Sequence, residues 1–164
     1  MNGKMVSWLA MFTALAAVGA MIKVPAIVGS IALDAFPALL AAALLGGRAA
    51  AIVGGVGHLL SALLGGFPLG VMHFLIAFEM AALVWMFGIL FKPNKKIFAS
   101  TLFIIGNSFI APLPFILIMN IGFYMSIVPS LLIGSIMNMV IAWIVIPRLS
   151  TFISFAASKQ EAKQ

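Results

Sequence analysis

Six apolar runs, parted by glycine, proline and lysine, occupy most of this sequence and decide what it can fold into. They cover 5–22, 34–46, 49–64, 71–91, 97–118 and 127–146. A helix crossing the hydrocarbon core needs about 20 apolar residues, or about 17 at the short end. The second run is the shortest against that measure. Between the runs lie Pro25 and Gly29, Gly46-Gly47-Arg48, Gly65-Gly66-Phe67-Pro68, Lys92-Pro93-Asn94 and Gly122, the punctuation expected of turns. Only nine Lys/Arg and three Asp/Glu occur in 164 residues, whereas about a quarter of a soluble domain is charged. So little charge cannot build a water-facing surface, and an apolar fraction of 65% excludes disorder. The pattern predicts an all-α integral membrane protein, a single transmembrane domain over 1–164 with six transmembrane helices.

Charge placement orients the bundle. With six spans, Lys4, Arg48, Lys92, Lys95, Lys96, Arg148, Lys159 and Lys163 share one side and Lys23 alone faces the other. The positive-inside rule then places both N- and C-termini in the cytoplasm, in the plasma membrane of a cell. Outer connections are expected near 23–33, 65–70 and 119–126, and the polar tail 158–164 is expected to fray. The basic residues are scattered rather than gathered on one solvated face, which argues against nucleic acid. The first run is too long for a typical signal-peptide core and is read as a span.

Motifs for chemistry are missing. There is no G-x-x-x-x-G-K-[ST] phosphate loop, no H-E-x-x-H and no G-x-S-x-G. Cys is absent, removing thiolate nucleophiles and thiolate metal sites. These absences point away from an enzyme, and no cofactor or metal is expected.

Ionisable groups at membrane depth are costly, so each one is a functional candidate. Asp34 opens the second span, where it also has the position of an N-cap. His58 lies one turn from Ser61, and His73 follows the Gly65–Gly70 turn. Taken singly, either histidine also suits hydrogen-bonded packing. Glu79 falls about 12 Å into the fourth span, where a lone carboxylate has to be neutralised or paired. Six residues from His73, it points about 240° around the helix from it. Asn107 and Asn138 sit midway along the fifth and sixth spans and suit either a site or an interhelical hydrogen bond. Pro112 and Pro114 interrupt the fifth span, and broken helices at depth are tolerated where they line protein or a cavity. Phe67, Phe74 and Tyr124 are the aromatics placed to wall an outward pocket. Trp85 and Trp143 suit the interfacial belt.

Small residues form two faces. Ala50, Ala51, Gly54, Gly55 and Gly57 of the third span suit internal packing. On the first span, Ala16-x-x-x-Ala20 is read as a partner-facing strip. With Lys23-Val24-Pro25, Asp34-Ala35-Phe36-Pro37-Ala38-Leu39-Leu40, the stretch from Gly46-Gly47-Arg48 to Gly57, and Pro129-Ser130-Leu131-Leu132-Ile133-Gly134 leading to Asn138, the chain resembles the S components of energy-coupling factor (ECF) transporters.

That resemblance implies a bacterial membrane protein that captures a vitamin from outside and docks on a coupling protein with two ATPase subunits. Ala16 and Ala20 would then meet the coupling protein, and ATP hydrolysis would belong to the partners. The stretch from Gly57-His58 through Ser61 to Gly65-Gly66-Phe67-Pro68-Leu69-Gly70, with Asp34 upstream, looks most like S components for alpha-ribazole, a cobalamin precursor. Its benzimidazole would stack on aromatic walls, its ribose would bind Asp34, Glu79 or an Asn, and a histidine would meet a ring nitrogen. Riboflavin or pantothenate can use similar groups. From another class, a structural or regulatory membrane protein would use the same polar residues only to hold helices together.

Overall fold

The structure, a computed structural model, describes residues 3–25 and 30–161. Its helices are α1 (Gly3–Met21), α2 (Phe36–Leu45), α3 (Gly47–Leu64), α4 (Met72–Leu90), α5 (Lys96–Ile105), α6 (Pro114–Ile118) and α7 (Ile121–Glu161). Strands β1 (Lys23–Pro25) and β2 (Ser30–Ala32) pair antiparallel, with Val24 opposite Ile31. Among the described residues, five segments are long and apolar enough to cross a membrane: α1, α3, α4, the stretch Pro93–Ile118, and Ile121–Thr151.

The first outer connection, expected near 23–33, has its two ends zipped into a short ribbon; its Gly29 lies outside the described residues. Two expectations need correction. The second span is a ten-residue helix, about 15 Å long and half the hydrocarbon core. The sixth begins earlier and ends later than expected: α7 runs 41 residues through Pro129 and Pro147. It absorbs most of the expected 119–126 connection, and its backbone is helical past Ser158; residues 162–164 lie outside the described residues.

α2 can be short because it is wrapped. Pro37 through Ala42 are all buried, packed among Leu9 and Phe12 of α1, Val53 of α3, Val84 and Phe87 of α4, and Met139 of α7. Proline at the first turn of α2 lacks an N–H that would have had no intrahelical partner. Gly46 ends α2 and starts α3 at φ 90°, ψ 173°, a region essentially restricted to glycine. One residue thus reverses the chain between two helices.

The α3–α4 pair packs closest. A methyl on Gly88 would lie 2.7 Å from backbone atoms of Gly47, and one on Gly54 would lie 2.6 Å from a Val84 methyl. Contact that close is how lipid-embedded helices gain dispersion energy in the absence of water. α1 uses the same device against α3. Ala16 and Ala20 are 0% and 1% exposed, and a methyl on Gly57 would come within 2.9 Å of Ala16. The partner-facing reading of that pair is therefore corrected: the two small-residue faces meet each other.

Candidate functional site

At the ribbon end of the bundle lies a cavity of about 490 Å³, within the range of small-molecule sites. Five of the expected site residues line it: Asp34, His58, His73, Asn107 and Asn138. Lys23 of the ribbon, Ser61 of α3, and Ser130 and Ser135 of α7 also line it. Ile76, Met80, Phe123 and Leu131 contribute apolar wall.

Asn138 explains how this wall is held. Its Oδ1 accepts from the backbone N–H groups of Ala35 (3.1 Å) and Phe36 (2.8 Å). Its Nδ2 donates to the carbonyls of Ala32 (3.0 Å) and Gly134 (2.9 Å). Two donors and two acceptor positions make up the whole capacity of an amide side chain. Asn138 thus caps α2 from another helix and pins the ribbon to α7, leaving nothing over for a ligand. Asp34, which had the position of the cap, makes no such bond, so its carboxylate is left facing the cavity.

The break in the fifth span builds the opposite wall. Gly106–Ile110 form a π-helical turn closed by Ala111 N–H to Gly106 O at 2.8 Å. Such turns insert a residue and re-aim side chains, often at functional sites. Here Asn107 Nδ2 donates to Ser135 Oγ at 2.8 Å and Ser108 Oγ lies 3.2 Å from the same atom. Ser135 Oγ in turn donates to the Leu131 carbonyl at 2.7 Å. Asn107 itself lines the cavity.

His58 and His73 meet directly, with Nε2 of the first 3.2 Å from Nδ1 of the second. The α3–α4 turn sets this pair. Gly66, Phe67 and Gly70 all have positive φ, and Leu69 N–H reaches His73 Nε2 at 3.4 Å. Phe67 does not wall the cavity. Its ring backs His73 edge-on, with centroids 5.5 Å apart.

Three further expected residues fall elsewhere. Phe74 is 62% exposed on the outer surface of α4. Tyr124 donates from its hydroxyl to the Phe109 carbonyl at 3.1 Å, tying α7 to the π turn, and its neighbour Phe123 is the aromatic in the cavity wall. Glu79 lies beside the row His73, Ile76 and Met80 that lines the cavity but is not part of it. Its Oε2 is buried without a hydrogen-bond partner among the described residues.

The small-residue spacing on α1 occurs a second time. Ala10-x-x-x-Ala14 has the same spacing as Ala16 and Ala20, but both of its alanines are exposed. Val6, Met11 and Val18 flank them on the open side. Lys23 was legible as the one basic residue at its end of the bundle, and Ser61 as a helical neighbour of His58. Ser130 stood in the stretch that carries the family resemblance, Ser135 carried no signal apart from lying on the last span, and Phe123 fell in the expected outer connection.

A family model described as "ECF transporter, substrate-specific component" matches residues 4–156. The solved structure of the S component of a bacterial ECF transporter superposes with a TM-score of 0.75 at 20% identity, covering 93% of this chain and 99% of that one. Comparison with curated proteins returned no match. At 20% identity the structural likeness establishes the fold, while the family match spans nearly the whole chain. The chain belongs to the family of substrate-specific components of ECF transporters.

Proposed function

We propose that this S component captures alpha-ribazole from outside the cell and passes it inward with a membrane coupling protein and two ATPase subunits. One observation carries the reading: a cavity of about 490 Å³ lined by a carboxylate, two imidazoles and an amide together with one phenyl ring, Phe123, and aliphatic side chains. Phe123 offers a face to a benzimidazole, Asp34 and Asn107 offer acceptors to ribose hydroxyls, and the histidine pair offers a partner to a ring nitrogen.

The same proposal includes six crossings, with the whole chain a single domain in a bacterial plasma membrane and both termini cytoplasmic. α2 completes its crossing with non-helical backbone. The non-helical stretch Ala32–Ala35 leads into this helix of about 15 Å. Unwound backbone is tolerated at that depth only when its polar groups are satisfied inside the protein. Asn138 serves Ala32, Ala35 and Phe36, and Gly19 O accepts from Leu33 N–H at 3.2 Å. Docking on the coupling protein is assigned to the exposed Ala10–Ala14 face of α1.

Lys23 in the cavity wall favours a second reading, a substrate with an anionic group such as pantothenate. Calorimetry on the purified chain with alpha-ribazole, riboflavin and pantothenate separates these. Tight alpha-ribazole binding that weakens about tenfold or more in Asp34→Asn is expected. Pantothenate binding lost in Lys23→Gln would install the second reading. Failure of all three to bind would refute both.

A further inference from the structure

The chain has two histidines, and the polarity of their contact is set by a third group. A backbone N–H donates and never accepts, so His73 Nε2, 3.4 Å from Leu69 N–H, must offer its lone pair. In a neutral imidazole the proton is then on the other nitrogen. His73 Nδ1–H therefore donates across the 3.2 Å contact to His58 Nε2. The same logic passes one ring further, because an accepting Nε2 puts the proton of His58 on Nδ1. Reversing the order would set a ring N–H against the Leu69 N–H, donor to donor.

Both ends of this chain are well defined. Behind His73 stands the α3–α4 turn, with Phe67 N–H bonded to Ala62 O and Gly70 N–H to Phe67 O, each at 2.8 Å. The Phe67 and His73 rings meet in a T-shaped contact. Ahead, His58 lines the cavity. Among the described residues nothing accepts from its Nδ1, and the atom is not sealed, since the buried side-chain atom without a partner is Glu79 Oε2. Asp34 is near enough to act on His58 electrostatically without forming a hydrogen bond to it.

We infer that His73 is a positioning residue that fixes the His58 tautomer, and that His58 Nδ1–H is a specificity-determining donor for an unprotonated nitrogen or carbonyl oxygen of the substrate. The inference rests on the capture reading above. It assigns the cavity a ligand class: a neutral heterocycle or carbonyl compound is accepted at this point, and a ligand with a cation or donor there is refused.

Two arms test it on the full chain in detergent. Long-range proton–nitrogen correlation spectra of histidine-labelled protein should show both rings protonated at Nδ1. His73→Phe, which keeps a ring against Phe67, should turn His58 into a tautomer mixture. His58 protonated at Nε2, or unmoved by His73→Phe, overturns the inference. In the second arm, alpha-ribazole is titrated into His58→Asn, whose amide N–H falls near the Nδ1 position, and into His58→Phe. The Asn variant should keep most of the affinity and the Phe variant should lose about tenfold. Alpha-ribazole methylated on its free ring nitrogen should bind weakly and be indifferent to His58→Phe. Equal affinity of unaltered, Asn and Phe proteins overturns the donor role. Tautomers as expected, with no alpha-ribazole binding to the unaltered protein, support the histidine order and overturn the substrate assignment instead.

Discussion

Asn138 has one amide and four backbone partners, and three of those partners are more than a hundred residues away in sequence. Replacing it with Leu strands two N–H groups and a carbonyl in a buried setting, each costing about 1–3 kcal/mol. Thermal unfolding in detergent should show Asn138→Leu destabilised by several kcal/mol, with binding lost alongside. Asp34→Asn should instead lose affinity at an unchanged melting temperature. Glu79→Gln should bind as the unaltered protein does, since neither oxygen belongs to the cavity wall; a large loss there would bring the carboxylate back into the site. The sequence marked Asp34, His58, His73, Asn107 and Asn138 because polar atoms at membrane depth need a reason. It did not tell a ligand-facing group from a saturated one. That distinction depends on which backbone groups the ribbon and α2 leave open, and they come from elsewhere in the chain.

At the scale of the helix, α1 carries the spacing A-x-x-x-A twice, rotated around its axis. One copy packs on Gly57 and the other faces out. Spacing is identical in both, so periodicity alone had no means of choosing between them; the choice follows from the groove that α3 offers. Two bulky substitutions separate the faces. Ala14→Trp should leave alpha-ribazole binding intact and abolish co-purification with a co-expressed coupling protein and its ATPases. Ala16→Trp should fail to give folded protein, because the indole has no room against Gly57. Co-purification surviving Ala14→Trp would move the docking face elsewhere. The long helices were legible from their apolar runs, apart from their ends. The π turn was not: Pro112 and Pro114 announced a break, but the inserted residue lies upstream at Gly106–Ile110.

Across the whole molecule, the two ends of the bundle differ in kind. Arg48 and Lys92–Lys96 lie at the turns opposite the cavity, and Lys23 lies in the cavity wall. The chain lacks cysteine, which makes orientation directly measurable. In intact cells, a membrane-impermeant maleimide should label Pro68→Cys at the cavity end and leave Asn94→Cys unlabelled; the opposite pattern would invert the proposed topology. The amide clip at Asn138 also has a bearing on how such a protein diversifies. With its valences spent on main-chain atoms, it holds the frame in a way indifferent to what occupies the hollow. Asp34, His58 and Ser61 make no comparable contribution to the frame, so cargo preference can drift through a handful of exchangeable side chains while one separate fastening keeps the scaffold in register.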